Sequence, residues 1–356
     1  MKQHKIGFLI FSLNAGGIET YLLRFLQLYG NEIAAIVIVK NGEKGDLYDD
    51  FVKTSTNIIL MKMDYLNIKA WLRLLRFFKR KKFDTVCDMC ANFAGIPLTL
   101  ALIAGVRKRI AFYRQSSHHF KLSTLNIFYS KFVNWLVYKN ATAILFNSRH
   151  ALNFYFENKI DNRCRVIKNG VNRELFEVSE RKEDLRKYFG FPQNSIIIGH
   201  TGRVAPAKNH TTIMNVTNRI CSENRNVLFV LAGNGTQHLP AQNGIVLLGH
   251  CSEIPKLLKT FDIYYFPSLT EGQPNALIEA MIAGLPFVAS DIAPIKECVP
   301  ENNYSQLVSA TDVEASVEKI KEIIQNSDKN QYCCQEWAIE TYDANKNMSL
   351  FFNELT

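Results

Sequence analysis

The chain has 356 residues, of which 47% are hydrophobic, and a formal net charge of +9. This length exceeds a usual single core and predicts two domains. No run of about twenty uncharged apolar residues occurs, which argues against a membrane-spanning helix. The apolar segment after Lys5 is short and leads into a glycine turn without a small-residue cleavage site, so we expect a cytoplasmic protein rather than a secreted one.

The eight cysteines do not predict a disulfide framework in a chain this long. Most lie within apolar stretches, where buried free thiols are the usual state. Cys87 and Cys90 have the CxxC spacing of a metal or redox site, but no second pair completes a zinc site. We therefore expect no metal.

Positive charge is concentrated in the first half of the chain. Residues 1–173 hold 27 Lys and Arg against 11 Asp and Glu, whereas the remainder holds 15 against 22. Residues 69–82 form a predicted helix with a wholly cationic polar side, and residues 119–138 are rich in aromatic side chains. Both are typical of an anionic membrane surface, although a helix packed on a sheet also needs an apolar stripe. We expect a peripheral position on the inner face of the plasma membrane, and no nucleic-acid partner.

Strands and helices are predicted to alternate along the first half, which is typical of a parallel, doubly wound sheet. The predicted strands are Ile6–Leu13, Ala34–Val39, Asp84–Met89, Arg109–Tyr113 and Ala141–Asn147. The predicted helices cover residues 18–29, a segment ending near Lys82, and a segment through Ala101.

A glycine turn joins the first predicted strand to the first helix. Gly16 and Gly17 lack the rest of a dinucleotide-binding fingerprint, so they do not predict a Rossmann cofactor. Glycine at this turn permits a ligand to approach the backbone closely, and a strand-to-helix turn also uses glycine without any ligand.

The second half repeats the same alternation. Its predicted strands are Ile196–His200, Val227–Ala232, Ile245–Leu248, Phe261–Pro267 and Leu285–Ala289. Its predicted helices are His210–Cys221, Glu253–Lys259, Asn275–Ala283 and a stretch over residues 336–355.

Glu271 and Glu279 lie eight residues apart in one strand, turn and helix unit. Glu271 begins the turn, and Glu279 lies one turn into the helix that begins at Asn275. Such a turn places free N–H groups and the positive helix end at the carboxyl edge of a parallel sheet, where phosphates bind. Glu279 can accept hydrogen bonds from ribose hydroxyls, and Glu271 can contact a transferred group. Helix-dipole compensation or simple solvation explains either acid alone equally well, but the pair favours a sugar-nucleotide site.

Three segments resemble the retaining glycosyltransferases of group 1, family four. Residues 271–290 follow nearly throughout that family's pattern of two glutamates with seven residues between them. Residues 198–209 contain Ile-Gly-His-Thr-Gly-Arg followed by Lys-Asn, and resemble the loop that holds the donor diphosphate. Residues 166–172 resemble the interdomain segment. The resemblance implies the GT-B fold: α/β, with two Rossmann-like doubly wound parallel-sheet domains facing across a cleft.

The resemblance also implies roles for individual residues. Arg203 and Lys208 would hold the donor diphosphate and stabilise the charge that develops on it, and Glu271 would contact the transferred sugar; we predict these three as catalytic. An alternative for Arg203 is an ion pair with Asp291 or contact with a helix end. No metal or other cofactor is then required, and a UDP-sugar is favoured over a GDP-sugar. The predicted donor-binding residues are Gly17, Gly202, Gly272, Gln273, Pro274, Asn275, Ala276, Leu277 and Glu279.

The reacting centre on the acceptor side is ambiguous. Many members of the family have a histidine after the fourth strand of the first domain. Here either His118 or His119 supplies it, with His118 preferred as a catalytic residue, or Arg114 has taken the position. A simple loop position for His118 is the alternative.

The expected domains are an acceptor-binding domain, residues 1–171 with a C-terminal helix at about 338–356, and a nucleotide-sugar-binding domain, residues 172–337. The expected function is retaining transfer of a hexose-type sugar from a nucleoside-diphosphate sugar to a lipid-linked or cell-surface polysaccharide acceptor, as in capsule or cell-envelope synthesis. Alternatives are a GT-B sugar-nucleotide epimerase and a non-catalytic GT-B binding protein.

Overall fold

A computed structural model describes residues 3–63, 67–114, 124–157 and 159–356. The chain divides into two compact units. Unit 1 comprises Met1–Asn169 and Lys346–Thr356, and unit 2 comprises Gly170–Asn345. Unit 2 therefore ends at Asn345 rather than at residue 337, the boundary expected from the sequence.

Unit 1 contains a parallel sheet of seven strands in the order β3-β2-β1-β4-β5-β6-β7. The order reverses between β1 and β4, which are hydrogen-bonded neighbours. The strands are β1 (His4–Ile10), β2 (Ile33–Val39), β3 (Asn57–Leu60), β4 (Thr85–Asp88), β5 (Lys108–Tyr113), β6 (Ala143–Phe146) and β7 (Cys164–Val166).

Helices cover both faces of this sheet. The helices are α1 (Gly17–Tyr29), α2 (Tyr48–Lys53), α3 (Ile68–Lys81), α4 (Gly95–Ile103), α5 (Thr124–Asn140) and α6 (Arg149–Phe156). One core cluster joins α1 to one face of the sheet. A second cluster joins α3, α4, α5 and α6 to the other face, so these four helices form one layer.

Unit 2 contains a parallel sheet of six strands in the order β10-β9-β8-β11-β12-β13. Its strands are β8 (Ile196–Thr201), β9 (Val227–Ala232), β10 (Ile245–Gly249), β11 (Ile263–Phe266), β12 (Phe287–Ser290) and β13 (Leu307–Val308). Its helices are α7 (Lys182–Tyr188), α8 (His210–Glu223), α9 (Ile254–Thr260), α10 (Asn275–Ile282), α11 (Ala293–Lys296), α12 (Val313–Gln325) and α13 (Gln335–Thr341). Core clusters cover both faces of this sheet as well.

The C-terminal stretch is two helices rather than the single helix predicted over residues 336–355. Helix α13 ends at Thr341, and α14 covers Ala344–Leu355. The break coincides with a bridge to Val171, whose N–H donates to the carbonyl of Tyr342 at 2.8 Å and which pairs with Asp343. Helix α14 buries Met348 and Phe351 in the core of unit 1.

All eight cysteines are free thiols. Across the described ranges, no group of three or more His, Cys, Asp and Glu is arranged to hold a metal ion. No helix among the described residues is both long and apolar enough to cross a membrane.

Candidate active site

The predicted site residues of unit 2 lie where its strand order reverses. Strands β8 and β11 are hydrogen-bonded neighbours, and the remaining strands extend from them in opposite directions. The loop after β8 carries Arg203 and Lys208, and the loop after β11 carries Glu271. Ligands of open α/β sheets bind at the carboxyl edge at such a reversal. The fold therefore brings these three residues to one crevice.

A partly buried contact joins the two loops. The Nζ atom of Lys208 donates a hydrogen bond to Oε1 of Glu271 at 2.6 Å, and the two side chains are 20% and 11% exposed. The same ammonium lies 4.8 Å from the centroid of the Phe266 ring. The N–H of Leu269 also donates to the carbonyl of Ala207 at 2.8 Å. Because partial burial reduces solvent screening, the attraction between these two charges is stronger than in an exposed pair.

Asn209 fixes the backbone next to Lys208. It adopts a left-handed conformation with φ of 56°, which asparagine tolerates better than most residues. Its side-chain amide donates to the carbonyls of Pro267, at 3.1 Å, and Ala310, at 2.7 Å. The loop that carries Lys208 is thus anchored to the segments that follow β11 and β13.

Gly233 makes room for the loop that carries Arg203. A Cβ atom at Gly233 would lie 2.2 Å from the carbonyl oxygen of Gly202 and 2.9 Å from the backbone nitrogen of Arg203, and the φ of Gly233 is 142°. Only glycine permits this conformation and this approach. Gly233 was not among the residues predicted for the site, although the Gly-Asn-Gly turn after β9 was its signal.

The Arg203 side chain is exposed to solvent. It forms no ion pair with any acid in the described part of the chain. Asp291, its alternative partner in the sequence, instead pairs with Lys296 at 2.9 Å. The guanidinium of Arg203 is therefore available to an anionic ligand at this edge of the sheet.

Helix α10 begins directly after the turn formed by Gly272, Gln273 and Pro274. Pro274 occupies the N-cap position and provides no capping hydrogen bond from its side chain. The first N–H groups of a helix lack intrahelical acceptors and carry the positive end of the helix dipole. Among the predicted donor-binding residues, Asn275, Ala276 and Leu277 form this first turn, which suits a phosphate.

Glu271 and Glu279 both influence one phenol, that of Tyr264. Burial raises the pKa of Tyr264, hydrogen bonding to Thr201 lowers it, and the charges of Glu279 and Glu271 raise it further. The phenol oxygen lies 2.7 Å from Oγ1 of Thr201. Glu271 lies in the loop that follows β11, and Glu279 lies in α10, which begins directly after that loop.

Two histidines lie beneath this site, and the sequence did not single them out. The rings of His200 and His210 meet edge to face, with centroids 5.3 Å apart. Nδ1 of His200 lies 3.0 Å from the carbonyl oxygen of Tyr265, so this nitrogen carries the proton and donates. Burial, then the charges of His210 and Lys208, lower the pKa of His200 to about 3, while the bond to Tyr265 raises it. The imidazole of His200 is consequently neutral beside Lys208.

Gly17 and Arg114 belong to unit 1. Gly17 begins α1 at the carboxyl edge of β1, and a Cβ atom at this position would meet no atom within 4 Å. Packing within unit 1 therefore does not require glycine there. His118 and His119 lie outside the described residues.

Arg114 follows β5 and is buried. Its guanidinium carbon lies 3.7 Å from the centroid of the Tyr21 ring, and Nη2 donates to Oδ1 of Asn169 at 2.5 Å. Nε and Nη1 are buried without a hydrogen-bond partner in the described structure. Burial lowers the pKa of Arg114 to about 10, and the charges of Tyr21 and Glu19 oppose this shift. Arg114 is a buried cation with unused donors at the same sheet edge as Gly17.

Two family models match the chain, one in each half. The model described as Glycosyltransferase Family 4 matches residues 15–175, and the model described as Glycosyl transferases group 1 matches residues 195–326. This chain belongs to the group 1 glycosyltransferases of family 4. The second match includes Arg203, Lys208, Glu271 and Glu279.

Relatives of this glycosyltransferase include enzymes named for glycan synthesis. The chain is 26% identical over 335 residues to the UDP-Gal:alpha-D-GlcNAc-diphosphoundecaprenol alpha-1,3-galactosyltransferase of Escherichia coli, a match that covers 85% of this chain and 83% of the relative. It is 27% identical over 313 residues to the capsular polysaccharide biosynthesis glycosyltransferase CapH of Staphylococcus aureus, covering 83% of each chain.

Solved structures share the whole fold. The structure of Anabaena HepE in complex with UDP and glucose superposes with a TM-score of 0.82 at 19% identity, and the match covers 99% of both chains. The neighbours are GT-B glycosyltransferases, and the two parallel-sheet α/β units of this glycosyltransferase confirm the predicted GT-B fold class.

Proposed function

We propose that this glycosyltransferase transfers a hexose-type sugar from a nucleoside-diphosphate sugar to a lipid-linked or cell-surface polysaccharide acceptor, with retention of the anomeric configuration. The observation that carries the proposal is the contact between Lys208 and Glu271, beside the strands β8 and β11 between which the strand order of unit 2 reverses. A cation that can bind a diphosphate and a carboxylate that can accept a hydrogen bond from a sugar hydroxyl are adjacent there.

The donor diphosphate lies, in this proposal, against Arg203, Lys208 and the first turn of α10. Negative charge develops on the diphosphate as the glycosidic bond breaks. Fixed cations and helix N–H groups stabilise that charge more in the transition state than in the ground state. This arrangement supplies the positive charge from the protein, and we propose that the reaction uses no metal or other cofactor.

A UDP-sugar is the proposed donor, in preference to a GDP-sugar. The Escherichia coli relative is named for a UDP-galactose donor and a diphosphoundecaprenol acceptor, and HepE was crystallised with UDP. The Staphylococcus aureus relative is named for capsular polysaccharide synthesis. These names support a nucleotide-sugar donor and an acceptor that is a glycan or is linked to a lipid.

The acceptor-side residue is proposed to be His118, His119 or Arg114. Arg114 is the one whose position is described, and its two unused donors suit an oxygen of the reacting groups. Comparison of Arg114→Lys, His118→Ala and His119→Ala distinguishes the three candidates: substitution of the residue that serves the reacting centre lowers kcat with little effect on the Kd of the donor.

Unit 1 is proposed to contact an anionic membrane on the cytoplasmic side through α3. This helix carries Lys69, Arg73, Arg76, Lys79, Arg80 and Lys81 and no acidic residue. Each basic residue near an anionic surface contributes about 1 kcal/mol at moderate ionic strength. The proposed location is therefore peripheral, and binding to anionic vesicles at low salt tests it.

A donor panel tests the proposed activity. UDP-, GDP- and ADP-sugars are compared by thermal shift and by release of nucleoside diphosphate, with Arg203→Ala and Glu279→Gln as site variants. Lys256→Ala is the control, because Lys256 is a surface lysine of unit 2 paired with Glu180 and Glu253. One stabilising donor, hydrolysed by the parent and the control but not by the site variants, supports the proposal. Conversion to a second sugar nucleotide without release of nucleoside diphosphate would indicate an epimerase, and no response to any donor would contradict the proposal.

A further inference from the structure

Helix α5 exposes an aromatic stripe where a surface helix of a globular domain is usually polar. Phe128 is 73% exposed, Phe132 is 47% exposed and Trp135 is 46% exposed. At 3.6 residues per turn these three side chains lie on one side of the helix, together with Lys131 and Lys139. The rings of Phe132 and Trp135 are stacked, with centroids 6.1 Å apart. Phe128, Phe132 and Trp135 are called the aromatic stripe below.

The opposite side of α5 is buried, so the exposure of the stripe does not come from loose packing. Val133 and Val137 are 1% and 0% exposed. A Cβ atom at Gly95 of α4 would lie 2.2 Å from the carbonyl oxygen of Val133, which shows how closely the two helices approach. Nδ2 of Asn140 also donates to Oγ1 of Thr99 at 2.7 Å. Helix α5 is thus fixed with its aromatic stripe outward.

The layer that contains α5 is strongly cationic. Helices α3, α4 and α5 belong to the same layer and together carry eight Lys and Arg residues, six on α3 and two on α5, with no Asp or Glu. Ile68 and Leu72 of α3 are 72% and 44% exposed. Apolar side chains therefore stand among cations on this surface.

We propose that the aromatic stripe of α5 inserts into the interfacial region of an anionic phospholipid bilayer. Trp and Phe gain from burial at the boundary between headgroups and acyl chains, and neighbouring Lys residues reach lipid phosphates. The proposal rests on the membrane attachment put forward above and adds an apolar component, which survives at salt concentrations that screen α3.

Charge selects the bilayer over a second copy of the chain as the occupant. A symmetric dimer through this face would bring the same surface of both copies together. The eight cations of one copy would then face the eight of the other, and like charges at contact are unfavourable. An anionic bilayer instead complements the cations and accommodates the aromatic rings.

Vesicle flotation at two salt concentrations separates the two components. Vesicles of mixed phosphatidylcholine and phosphatidylglycerol are used at low salt and at about 1 M NaCl, where the Debye length is about 3 Å. The test variant is Phe128→Ser, Phe132→Ser and Trp135→Ser combined. The control is Leu28→Ser with Leu350→Ser, because these side chains are 49% and 47% exposed on α1 and α14, away from the layer of α5.

The expected result is a partition coefficient at least about tenfold lower for the aromatic variant at both salt concentrations, since apolar burial is lost. The control should match the parent. Replacing Arg73, Arg76 and Lys79 with Gln should lower the partition coefficient at low salt but leave the partition coefficient at high salt unchanged. Equal high-salt binding by the parent and the aromatic variant would overturn the proposal.

Tryptophan fluorescence gives a second readout. The chain has three tryptophans, Trp71, Trp135 and Trp337. In a Trp71→Phe, Trp337→Phe background, lipids with brominated acyl chains should quench Trp135, and unquenched emission from bound protein would contradict insertion. A parent that is dimeric in solution, and becomes monomeric only in the aromatic variant, would assign the stripe to a second copy and overturn the proposal.

Release of nucleoside diphosphate from a soluble donor, without vesicles, distinguishes this proposal from the proposed function. The aromatic variant should retain the hydrolysis rate of the parent. Loss of vesicle binding with intact hydrolysis confirms the stripe independently of the acceptor. A parent that binds vesicles but hydrolyses no donor contradicts the proposed function and leaves the stripe supported.

Discussion

The ammonium of Lys208 lies 2.6 Å from the carboxylate of Glu271, across two loops that are 63 residues apart in sequence. The loops follow β8 and β11, the two neighbouring strands between which the strand order of the unit 2 sheet reverses. A donor diphosphate that binds there must either contact Lys208 together with Glu271 or replace Glu271 as the partner of the Lys208 ammonium. The two side chains are therefore expected to respond differently to substitution.

Lys208→Ala should lower the rate of donor turnover by about 100-fold, equivalent to about 2.7 kcal/mol of lost charge stabilisation. The loss should appear in kcat, because the charge on the diphosphate grows as the bond breaks. Lys256→Ala, which removes a surface lysine of the same unit, should have no effect. Turnover by Lys208→Ala within about threefold of the parent, less than about 1 kcal/mol, would show that Lys208 has no catalytic role.

Glu271→Gln should tighten the binding of free nucleoside diphosphate while it lowers turnover. Glutamine removes the negative charge that competes with the diphosphate for Lys208, but it also weakens the contact with a sugar hydroxyl. Calorimetric Kd values for UDP, measured beside kcat, test both effects, and Glu253→Gln on the surface of unit 2 is the control. Weaker UDP binding by Glu271→Gln would contradict this competition.

Alanine at Gly17 and at Gly233 should have opposite consequences. Gly17→Ala adds a Cβ atom to open space at the start of α1, so the melting temperature should hold or rise, because alanine favours the helix. Activity should fall if a substrate approaches this turn. Gly233→Ala places a Cβ atom 2.2 Å from the Gly202 carbonyl oxygen and should destabilise unit 2. Thermal unfolding and donor hydrolysis on both variants test the contrast, and normal activity of Gly17→Ala would remove Gly17 from the site.

Asp88→Ala should destabilise the protein by about 3 to 5 kcal/mol. Nζ of Lys40 lies 2.5 Å from Oδ2 of Asp88, and the two side chains are 7% and 0% exposed. Loss of the carboxylate deprives a buried ammonium of its counter-ion, and Asp88 Oδ1 also accepts the N–H of Cys90 at 2.9 Å. Urea unfolding measures the change. Asp50→Ala, which removes a solvent-exposed partner of Lys53, should change the free energy of unfolding by less than about 1 kcal/mol.

The buried strands could be predicted because each is a continuous apolar run between turn residues. The segment Val227–Ala232 has the predicted bounds, and the predicted strand Phe261–Pro267 contains β11. The short strands β3, β7 and β13 were not predicted. They have two to four residues and are largely half-buried or exposed. Apolar runs this short do not distinguish a strand from other buried segments. Pairing with the rest of the sheet, rather than local sequence, makes them strands.

The spacing of Glu271 and Glu279 indicated a site because it fits a single local unit. The roles assigned to the site residues stay predictions, but the structure places Lys208 and Glu271 in contact. The Gly-Asn-Gly turn marks Gly233 as a turn residue, but the supporting roles of Asn209, Gly233 and His200 could not be predicted. These residues act through a left-handed conformation, a close backbone approach and burial, and each depends on a neighbour distant in the sequence.

His200 should make the stability of the protein depend on pH. Its pKa is about 3 in the folded protein, chiefly because of burial, against the ordinary value of 6.5. Between these pH values the unfolded chain binds a proton at His200 that the folded chain does not bind. The free energy of unfolding therefore rises with pH, and the contribution of His200 is lost as the pH falls through this window. From about pH 7 to about pH 5 the expected loss from His200 is about 2 kcal/mol.

His200→Asn should remove this dependence while it keeps a donor for the carbonyl of Tyr265. The variant loses packing and becomes less stable at neutral pH, so the diagnostic quantity is the difference in unfolding free energy between the two pH values, measured in urea. That difference should shrink by about 2 kcal/mol relative to the parent. His250→Asn, which removes an exposed histidine, should leave the parent's difference unchanged. An unchanged difference in His200→Asn would mean that the buried ring of His200 is protonated in the folded protein, beside the ammonium of Lys208.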